Sequence, residues 1–177
     1  MSACLKSTGV ELELFSKIDQ LLFIERGIRG GISIICNRYS LANNKYLPNY
    51  DSTKPSKYIM YLDANNLYGY AMSESLPVGG FKFLTSEEIS YFDIFSVGAE
   101  DEIGYILDVD LEYPEELHDL HNDYPLAPES FAISAKLHSP YAKDLLQKLG
   151  RKPCRETMKL VPNLFAKRNY VVHYRNL

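Results

Sequence analysis

Apolar residues recur at helical spacing in two stretches of the first half of the chain. Residues 10–25 carry a pattern that predicts at least one helix. Three glycines then break it: Gly27, Gly30 and Gly31. Residues 65–73 carry a shorter helical pattern, which Pro77 stops. The first half therefore predicts two separated helices.

Two further helices are indicated by their end signals. Thr85 followed by Glu88 is a capping-box signature, in which each residue satisfies a backbone N–H of the other, so it predicts a short helix. Residues 140–149 begin with proline and are followed by Gly150, which favours a helix with a glycine at its carboxyl end.

Short apolar runs predict four strands, at residues 32–36, 58–62, 104–113 and 170–174. Residues 58–62 form the strongest of them, apolar and rich in tyrosine. In residues 104–113 the apolar positions are partly separated by Asp108 and Asp110, which predicts a half-exposed strand with both carboxylates toward solvent. Polar stretches at 39–57 and 115–139 predict loops. Strands mixed with separated helices indicate an α+β domain.

Composition allows one domain with a core, because 46% of the 177 residues are hydrophobic and 24% are charged. The net charge of −4 argues mildly against a free-standing nucleic-acid binder, which usually carries a basic excess. Three widely spaced cysteines, Cys4, Cys36 and Cys154, predict neither a zinc site nor a disulfide framework. No apolar run is long enough for a membrane span and no signal-peptide pattern is present, so we expect an intracellular protein without a membrane partner.

Asp63 is the leading candidate for chemistry. It follows the strongest predicted strand and precedes a predicted helix, which is where α/β proteins place many sites. One interpretation is structural, since Asp is a favoured N-cap of a helix. The other is catalytic: a carboxylate at the end of a strand can hold divalent ions, and backbone N–H groups at a following turn can hold phosphates.

Residues 63–69, Asp-Ala-Asn-Asn-Leu-Tyr-Gly, resemble a motif in the palm of family B DNA polymerases, D-x-x-S-L-Y-P. The protein-primed organellar, viral and mobile-element branch commonly has D-x-N-N-L-Y-G, which fits better. The resemblance implies that Asp63 is a catalytic Mg²⁺ ligand assisted by the Ala64 carbonyl. It also implies that the turn through Asn66 and Leu67 holds the triphosphate, and that Tyr68 packs under the deoxyribose and excludes ribonucleotides.

Three other stretches extend the resemblance from about residue 10 onward. Residues 26–31, Arg-Gly-Ile-Arg-Gly-Gly, resemble the Y-x-G-G element that contacts the template strand. The DNA-binding residues implied there are Arg26, Arg29, Gly30 and Gly31. A plain helix-ending turn is the alternative. Residues 104–129 resemble the segment after the metal motif, and residues 167–177 resemble the stretch before the next one.

The resemblance implies an organisation into three parts. Residues 1–31 would connect an exonuclease domain to the palm. Residues 32–113 would form a partial palm, with a mixed or antiparallel sheet and short helices, and residues 114–177 would begin an insertion that is irregular over 114–139. The implied partners are a DNA template-primer, deoxynucleoside triphosphates and a terminal-protein primer.

The second metal motif of the family, D-T-D, does not occur in this sequence, and neither does K-x-x-x-N-S-x-Y-G. A two-Mg²⁺ site needs the second carboxylate, so we predict that the isolated chain does not polymerise and is marginally stable. Two alternatives stay open. The chain can be a non-enzymatic remnant of a mobile element with at most weak DNA binding, or a metal-dependent hydrolase built on Asp63 and residues 118–123.

Two weaker candidates have structural interpretations that we favour. His118 and His121 have the spacing of helical metal ligands, but a solvated loop is the simpler interpretation. A basic run could meet a DNA backbone, although such a run is more often a solvated helix face. Its members are Lys143, Lys148, Arg151, Lys152 and Arg155.

Overall fold

A computed structural model describes residues 2–152 and 156–177 of the chain. Within them the chain forms two compact units. The first comprises Met1–Glu13 and Ile35–Gly79, and the second comprises Leu14–Ile34 and Gly80–Leu177. Helices and short antiparallel sheets are both present, so the α+β prediction is confirmed at this level.

The described residues contain six α-helices and four strands. The helices are α1 (Ser2–Thr8), α2 (Ile18–Gly27), α3 (Leu67–Ser73), α4 (Ser86–Ser90), α5 (His118–His121) and α6 (Pro140–Lys148). The strands are β1 (Ile106–Leu111), β2 (Glu129–Ile133), β3 (Thr157–Val161) and β4 (Lys167–His173). Short 3-10 turns lie at Ile94–Ser96, Glu115–Leu117, Ala135–Leu137 and Tyr174–Asn176.

The second unit contains two antiparallel pairs of strands. β1 pairs with β4, with Ile106 opposite His173 and Val109 opposite Tyr170, and the register then shifts at a bulge. β2 pairs with β3 along its whole length, beginning with Glu129 opposite Val161. The half-exposed strand predicted at 104–113 is confirmed, since Asp108 and Asp110 lie on the exposed face of β1.

The core of the second unit lies between α2 and β4. Val171 is completely buried, with Tyr170 and Tyr174 beside it. Gly27, the last residue of α2, lies so close that a Cβ there would come within 2.9 Å of Val171 Cγ1. A larger side chain would therefore push the helix off the strand, and this close packing explains the glycine at the end of α2.

Lys167, at the start of β4, is a buried cation enclosed by acceptors. Its ammonium donates to the Phe165 carbonyl at 2.6 Å and to both the backbone and the side-chain oxygen of Asn163. Glu129 Oε1 lies 3.3 Å from it. Because Glu129 begins β2, this ion pair ties the β2–β3 pair to the β1–β4 pair. The sequence patterns gave no sign of a buried lysine here.

The structure confirms several predicted elements. The helices at 65–73 and 140–149 form, and Thr85 and Glu88 make the complete capping box that starts α4. The predicted terminal strand is β4, which begins three residues earlier than expected. α2 ends at Gly27, as the glycines indicated.

The helix predicted within residues 10–25 forms as α2 from Ile18 onward, whereas residues 10–17 are not helical and the Glu13 N–H donates to the Val78 carbonyl at 2.8 Å. Other predictions are wrong. Residues 32–36 and 58–62 form no strand, since no described residue pairs with their backbone. Conversely, residues 115–139 are not all loop, as they contain α5 and β2, and β3 was not predicted.

The chain leaves much apolar surface exposed. Many large apolar side chains of the described residues are exposed, including Leu14 at 82%, Tyr61 at 90% and Phe95 at 96%. Marginal stability of the isolated chain stays a prediction, and this exposed surface is its physical basis. Within the described residues, no helix is both long and apolar enough to cross a membrane.

Candidate functional site

The turn before α3 is built by Asn66 and Gly69. Asn66 has φ 54° and ψ 46°, the left-handed conformation that asparagine tolerates better than most residues. Its Oδ1 accepts the Gly69 N–H at 3.2 Å, and its carbonyl accepts the Tyr70 N–H at 3.0 Å. A Cβ on residue 69 would lie 2.6 Å from Asn66 Cγ. A side chain at position 69 would therefore displace the Asn66 amide from its present position, whereas glycine leaves room for it.

Asn66, and not Asp63, is the N-cap of α3. The structural interpretation of Asp63 as a helix cap is therefore wrong, because the cap is three residues further along the chain. Asp63 is exposed, and among the described residues it has no hydrogen-bond or ion-pair partner. Its carboxylate is thus not used to hold the turn together.

The remaining motif positions are also exposed. Leu67 and Tyr68 open α3, and the phenol of Tyr68 is almost fully accessible to solvent. Ala64 lies in the irregular segment before the turn, and its carbonyl accepts no backbone N–H among the described residues. The structure therefore presents Asp63, Ala64, Leu67 and Tyr68 outward from a turn that Asn66 and Gly69 form.

The described residues do not by themselves fit a two-metal centre. No three His, Cys, Asp or Glu side chains of residues 2–152 and 156–177 converge closely enough to hold a metal ion. Asp63 supplies one carboxylate. A site for Mg²⁺ would need at least a second one, since two-metal catalysis depends on shared carboxylate ligands that hold both ions.

The two arginines predicted to bind DNA make contacts within the second unit. Arg29 donates to the Val171 carbonyl at 2.8 Å, and its guanidinium carbon lies 3.7 Å from the centre of the Tyr170 ring. Arg26 forms an ion pair with Asp108 at 3.0 Å. Burial raises the pKa of the Tyr170 hydroxyl, and the nearby Arg29 charge opposes that shift. Arg29 therefore has a structural role whatever else it does.

Gly30 and Gly31 follow in exposed backbone with open space around the Cα of each. Gly30 lies beside an open cleft of about 350 Å³ in the second unit. Its charged lining residues are Arg26, Arg29, Arg168 and Glu129. Arg168 is itself paired with Asp110 at 3.2 Å and with Glu112 at 2.7 Å, so carboxylates already neutralise much of this charge.

A β-bulge beside the cleft was not predicted. Asn169 has φ 52°, and its N–H donates to Asp110 Oδ1 at 2.9 Å, so Asp110 faces two residues of β4. That hydrogen bond, followed by the Arg168 guanidinium, holds the pKa of Asp110 below its usual value. The available signal was an asparagine within an apolar strand, because asparagine favours the left-handed backbone that a bulge uses.

His118 and His121 lie on α5, so the predicted solvated loop is wrong for them. Both histidines contact Tyr113: His121 Nδ1 lies 2.8 Å from the tyrosine hydroxyl, and His118 Nε2 lies 3.1 Å from the tyrosine carbonyl. These contacts give both imidazoles a structural role around Tyr113.

The basic run falls partly on α6, where Lys148 forms an ion pair with Asp144 at 2.8 Å. Arg151 and Lys152 are exposed after the helix. Arg155 and Cys154 lie outside the described residues. Cys36 is exposed.

No protein-family model matches this chain, and comparisons with curated proteins and with solved structures found no similar protein.

Proposed function

We propose that this chain is part of the palm of a family B DNA polymerase of the protein-primed branch. In the intact enzyme the reaction would be template-directed addition of deoxynucleotides to a primer. The isolated chain, with one metal aspartate, would not carry it out.

One observation supports the proposal most: the motif at 63–69 separates into two kinds of position. Asn66 and Gly69 are explained by the fold, because they form the cap of α3. Asp63, Leu67 and Tyr68 are exposed and do nothing for the turn. An acid, an aliphatic residue and a tyrosine displayed on a fixed turn are what a ligand-binding segment needs, whereas a purely structural turn would not require them.

Each exposed position would then have a role. Asp63 would be one carboxylate ligand of the catalytic Mg²⁺ ions, with the Ala64 carbonyl beside it. The turn at Asn66 and Leu67 would hold the incoming deoxynucleoside triphosphate, and Tyr68 would lie under its sugar. The other carboxylate would come from a D-T-D motif that this sequence does not contain.

The DNA template-primer would contact the glycines that follow α2, Gly30 and Gly31, whose open backbone allows a close approach of phosphate. Arg26 and Arg29 would contribute charge there while keeping their contacts with Asp108 and Tyr170. The three-part organisation at 1–31, 32–113 and 114–177, and a terminal-protein primer, belong to the same proposal.

A non-enzymatic remnant of a mobile element is the second candidate. It would account for the absence of D-T-D and K-x-x-x-N-S-x-Y-G from this sequence. Such a remnant would bind DNA weakly at most.

The genomic DNA on both sides of the coding sequence distinguishes the two candidates. An open frame that continues into K-x-x-x-N-S-x-Y-G and D-T-D supports a polymerase, whereas stop codons directly downstream support a remnant. In the polypeptide encoded by such a frame, Asp63→Ala should abolish primer extension with Mg²⁺. Asp144→Ala, which removes an exposed carboxylate from α6, is the control and should retain it. Normal extension by the Asp63→Ala protein would refute the proposal.

A further inference from the structure

Residues 39–61, here called the tyrosine–lysine loop, differ in charge from the rest of the chain. They contain three lysines and one aspartate, whereas the whole chain has a net charge of −4. They also contain five of its 14 tyrosines. Basic and aromatic residues are therefore interleaved over one short stretch, and all of it lies in the first unit.

The loop is organised around Asn43. The backbones of Asn43 and Lys57 exchange two hydrogen bonds, of 2.8 and 2.6 Å, which close the loop at its base. The Asn43 amide donates to the carbonyls of Asp51 and Pro55, at 3.0 and 3.1 Å, and its oxygen accepts the Asp51 N–H at 3.0 Å. These bonds fix the path of residues 43–57 without any contribution from the tyrosine rings.

Three of the tyrosines are largely exposed: Tyr46 lies within the closed segment, and Tyr39 and Tyr61 lie in the chain on either side of its base. Tyr39 is 79% exposed, Tyr46 76% and Tyr61 90%. An exposed tyrosine ring contributes no burial of apolar surface to the stability of the fold, so packing does not explain the tyrosines at these positions. Aromatic rings on a fixed scaffold are the usual platforms on which unpaired bases stack.

The lysines lie among the same rings. Among the described residues Lys45 and Lys57 form no ion pair, and Lys54 pairs with Asp51 at 3.0 Å while its side chain stays 71% exposed. Lys45 lies 5.2 Å from the centre of the Tyr46 ring, so charge and stacking surface are adjacent. By contrast, Arg26 and Arg29 of the second unit use their guanidinium groups in internal contacts.

We propose that the tyrosine–lysine loop binds single-stranded nucleic acid, with the lysines at phosphates and Tyr39, Tyr46 and Tyr61 stacked on bases. The ligand is single-stranded because paired bases present no free face to a tyrosine. Three lysines also supply too little charge to hold a duplex by its phosphates alone. The inference rests on the proposed function for its setting, since a polymerase must hold an unpaired template strand. Its evidence, however, is the chemistry of the loop.

The test is fluorescence anisotropy of the full 177-residue chain with a labelled 20-nucleotide deoxythymidine oligomer, in EDTA. We expect saturable binding that weakens with salt, with a log–log slope of about −2 for three lysine–phosphate contacts in a single strand. A blunt duplex of equal length should bind less tightly. Equal or tighter binding of the duplex, or no binding of the single strand, would overturn the proposal.

Variants locate the binding in the loop. Tyr39→Ala, Tyr46→Ala and Tyr61→Ala should each raise Kd by roughly fivefold or more, because stacking on one base is worth that much. The corresponding phenylalanine variants should restore binding, since they keep the ring. Tyr91→Ala is the control, because Tyr91 is 84% exposed but lies in the second unit, and its Kd should be unchanged.

Lys54 has a matched control in Lys148, since both side chains are 71% exposed and each pairs with an aspartate. Lys54→Gln should weaken binding and flatten the salt dependence, and Lys148→Gln should do neither. Equal effects from loop and control variants would refute the proposal. EDTA removes any dependence on metal. If primer extension depends on Asp63 but the loop does not bind the oligonucleotide, this inference alone is refuted. If the loop binds the oligonucleotide but extension does not depend on Asp63, the polymerase proposal alone is refuted.

Discussion

The Gly69 N–H donates to the side-chain oxygen of Asn66, 3.2 Å away, and this bond joins the two places where the motif departs from the pattern D-x-x-S-L-Y-P. Proline at position 69 has no N–H to give, and the asparagine side chain leaves no room for it. Asn66 and Gly69 therefore form one structural unit, and a proline at position 69 would be unfavourable beside Asn66.

Gly69→Pro should accordingly destabilise the start of α3, because it removes the cap, which is worth about 1 kcal/mol. The double variant Asn66→Ser with Gly69→Pro should recover much of that loss, since proline is tolerated in the first turn of a helix and serine is a good N-cap. Amide exchange of residues 70–73 measures the effect. Exchange as fast in the double variant as in Gly69→Pro would show that the two positions are not coupled.

The contact between Arg29 and Tyr170 predicts that arginine at position 29 is needed for stability. Arg29→Lys keeps the charge but loses the flat guanidinium that lies 3.7 Å from the ring centre. We expect a loss of about 1–2 kcal/mol in the free energy of unfolding of the second unit, from the stacking and the bond to Val171. Urea denaturation followed by tyrosine fluorescence would measure it.

Arg26→Lys is the control for this experiment. Its ion pair with Asp108 is exposed, and such pairs contribute about 0–1 kcal/mol. The reverse ranking, with Arg26→Lys the more harmful, would mean that the stack on Tyr170 does not support the fold.

The elements predicted correctly are those whose signals are local. The capping box at Thr85 and Glu88 is complete within four residues, and α6 is capped by Ser139, whose hydroxyl accepts the Ala142 N–H at 3.1 Å. Such bonds depend on nearby residues alone, so sequence is enough to find them.

The failures are of another kind, since strands depend on partners far along the chain. Residues 58–62 are apolar and rich in tyrosine, yet they form no strand because no described residue pairs with them. β3 was missed although it pairs with β2, because Lys159 interrupts its apolar pattern. At the candidate site, sequence could not assign the cap of α3 to Asn66 and not to Asp63, because both residue types are favoured N-caps.

Lys167 predicts a large effect from a single substitution. Lys167→Met keeps most of the volume but leaves the acceptors of the 163–165 turn without their donor and takes the cation away from Glu129, which keeps only the bond from Asn163 Nδ2. Removing one partner of a buried pair leaves the other uncompensated, and we expect a loss of about 2–4 kcal/mol in the free energy of unfolding. Thermal denaturation would register it as a clear fall in Tm.

Lys159→Met is the matched control, since Lys159 lies on β3 with its side chain exposed. It should change stability by no more than about 0.5 kcal/mol. A comparable loss from both substitutions would mean that the burial of Lys167 is not what matters.

The bulge at Asp110 predicts a dependence of stability on pH. The Asn169 N–H and the Arg168 guanidinium lower the pKa of Asp110, so the folded chain favours the ionised carboxylate. Its contribution is therefore fully present above the pKa of the unfolded chain, about 3.9, and is lost as pH falls through the lower folded value. Asp110→Asn removes this titration while keeping an oxygen that can accept the Asn169 N–H.

We expect Asp110→Asn to be less stable than the natural sequence at pH 7, because it loses the attraction to Arg168. The difference should shrink as pH falls below about 4, where the natural carboxylate becomes protonated. Urea denaturation at several pH values between 2 and 7 measures both curves. Asp144→Asn is the control. Asp144 does not lie at a β-bulge, and within the described residues its ion pair is with Lys148, one turn further along α6. Curves that stay parallel down to pH 2 would show that the Asp110 carboxylate does not stabilise the bulge.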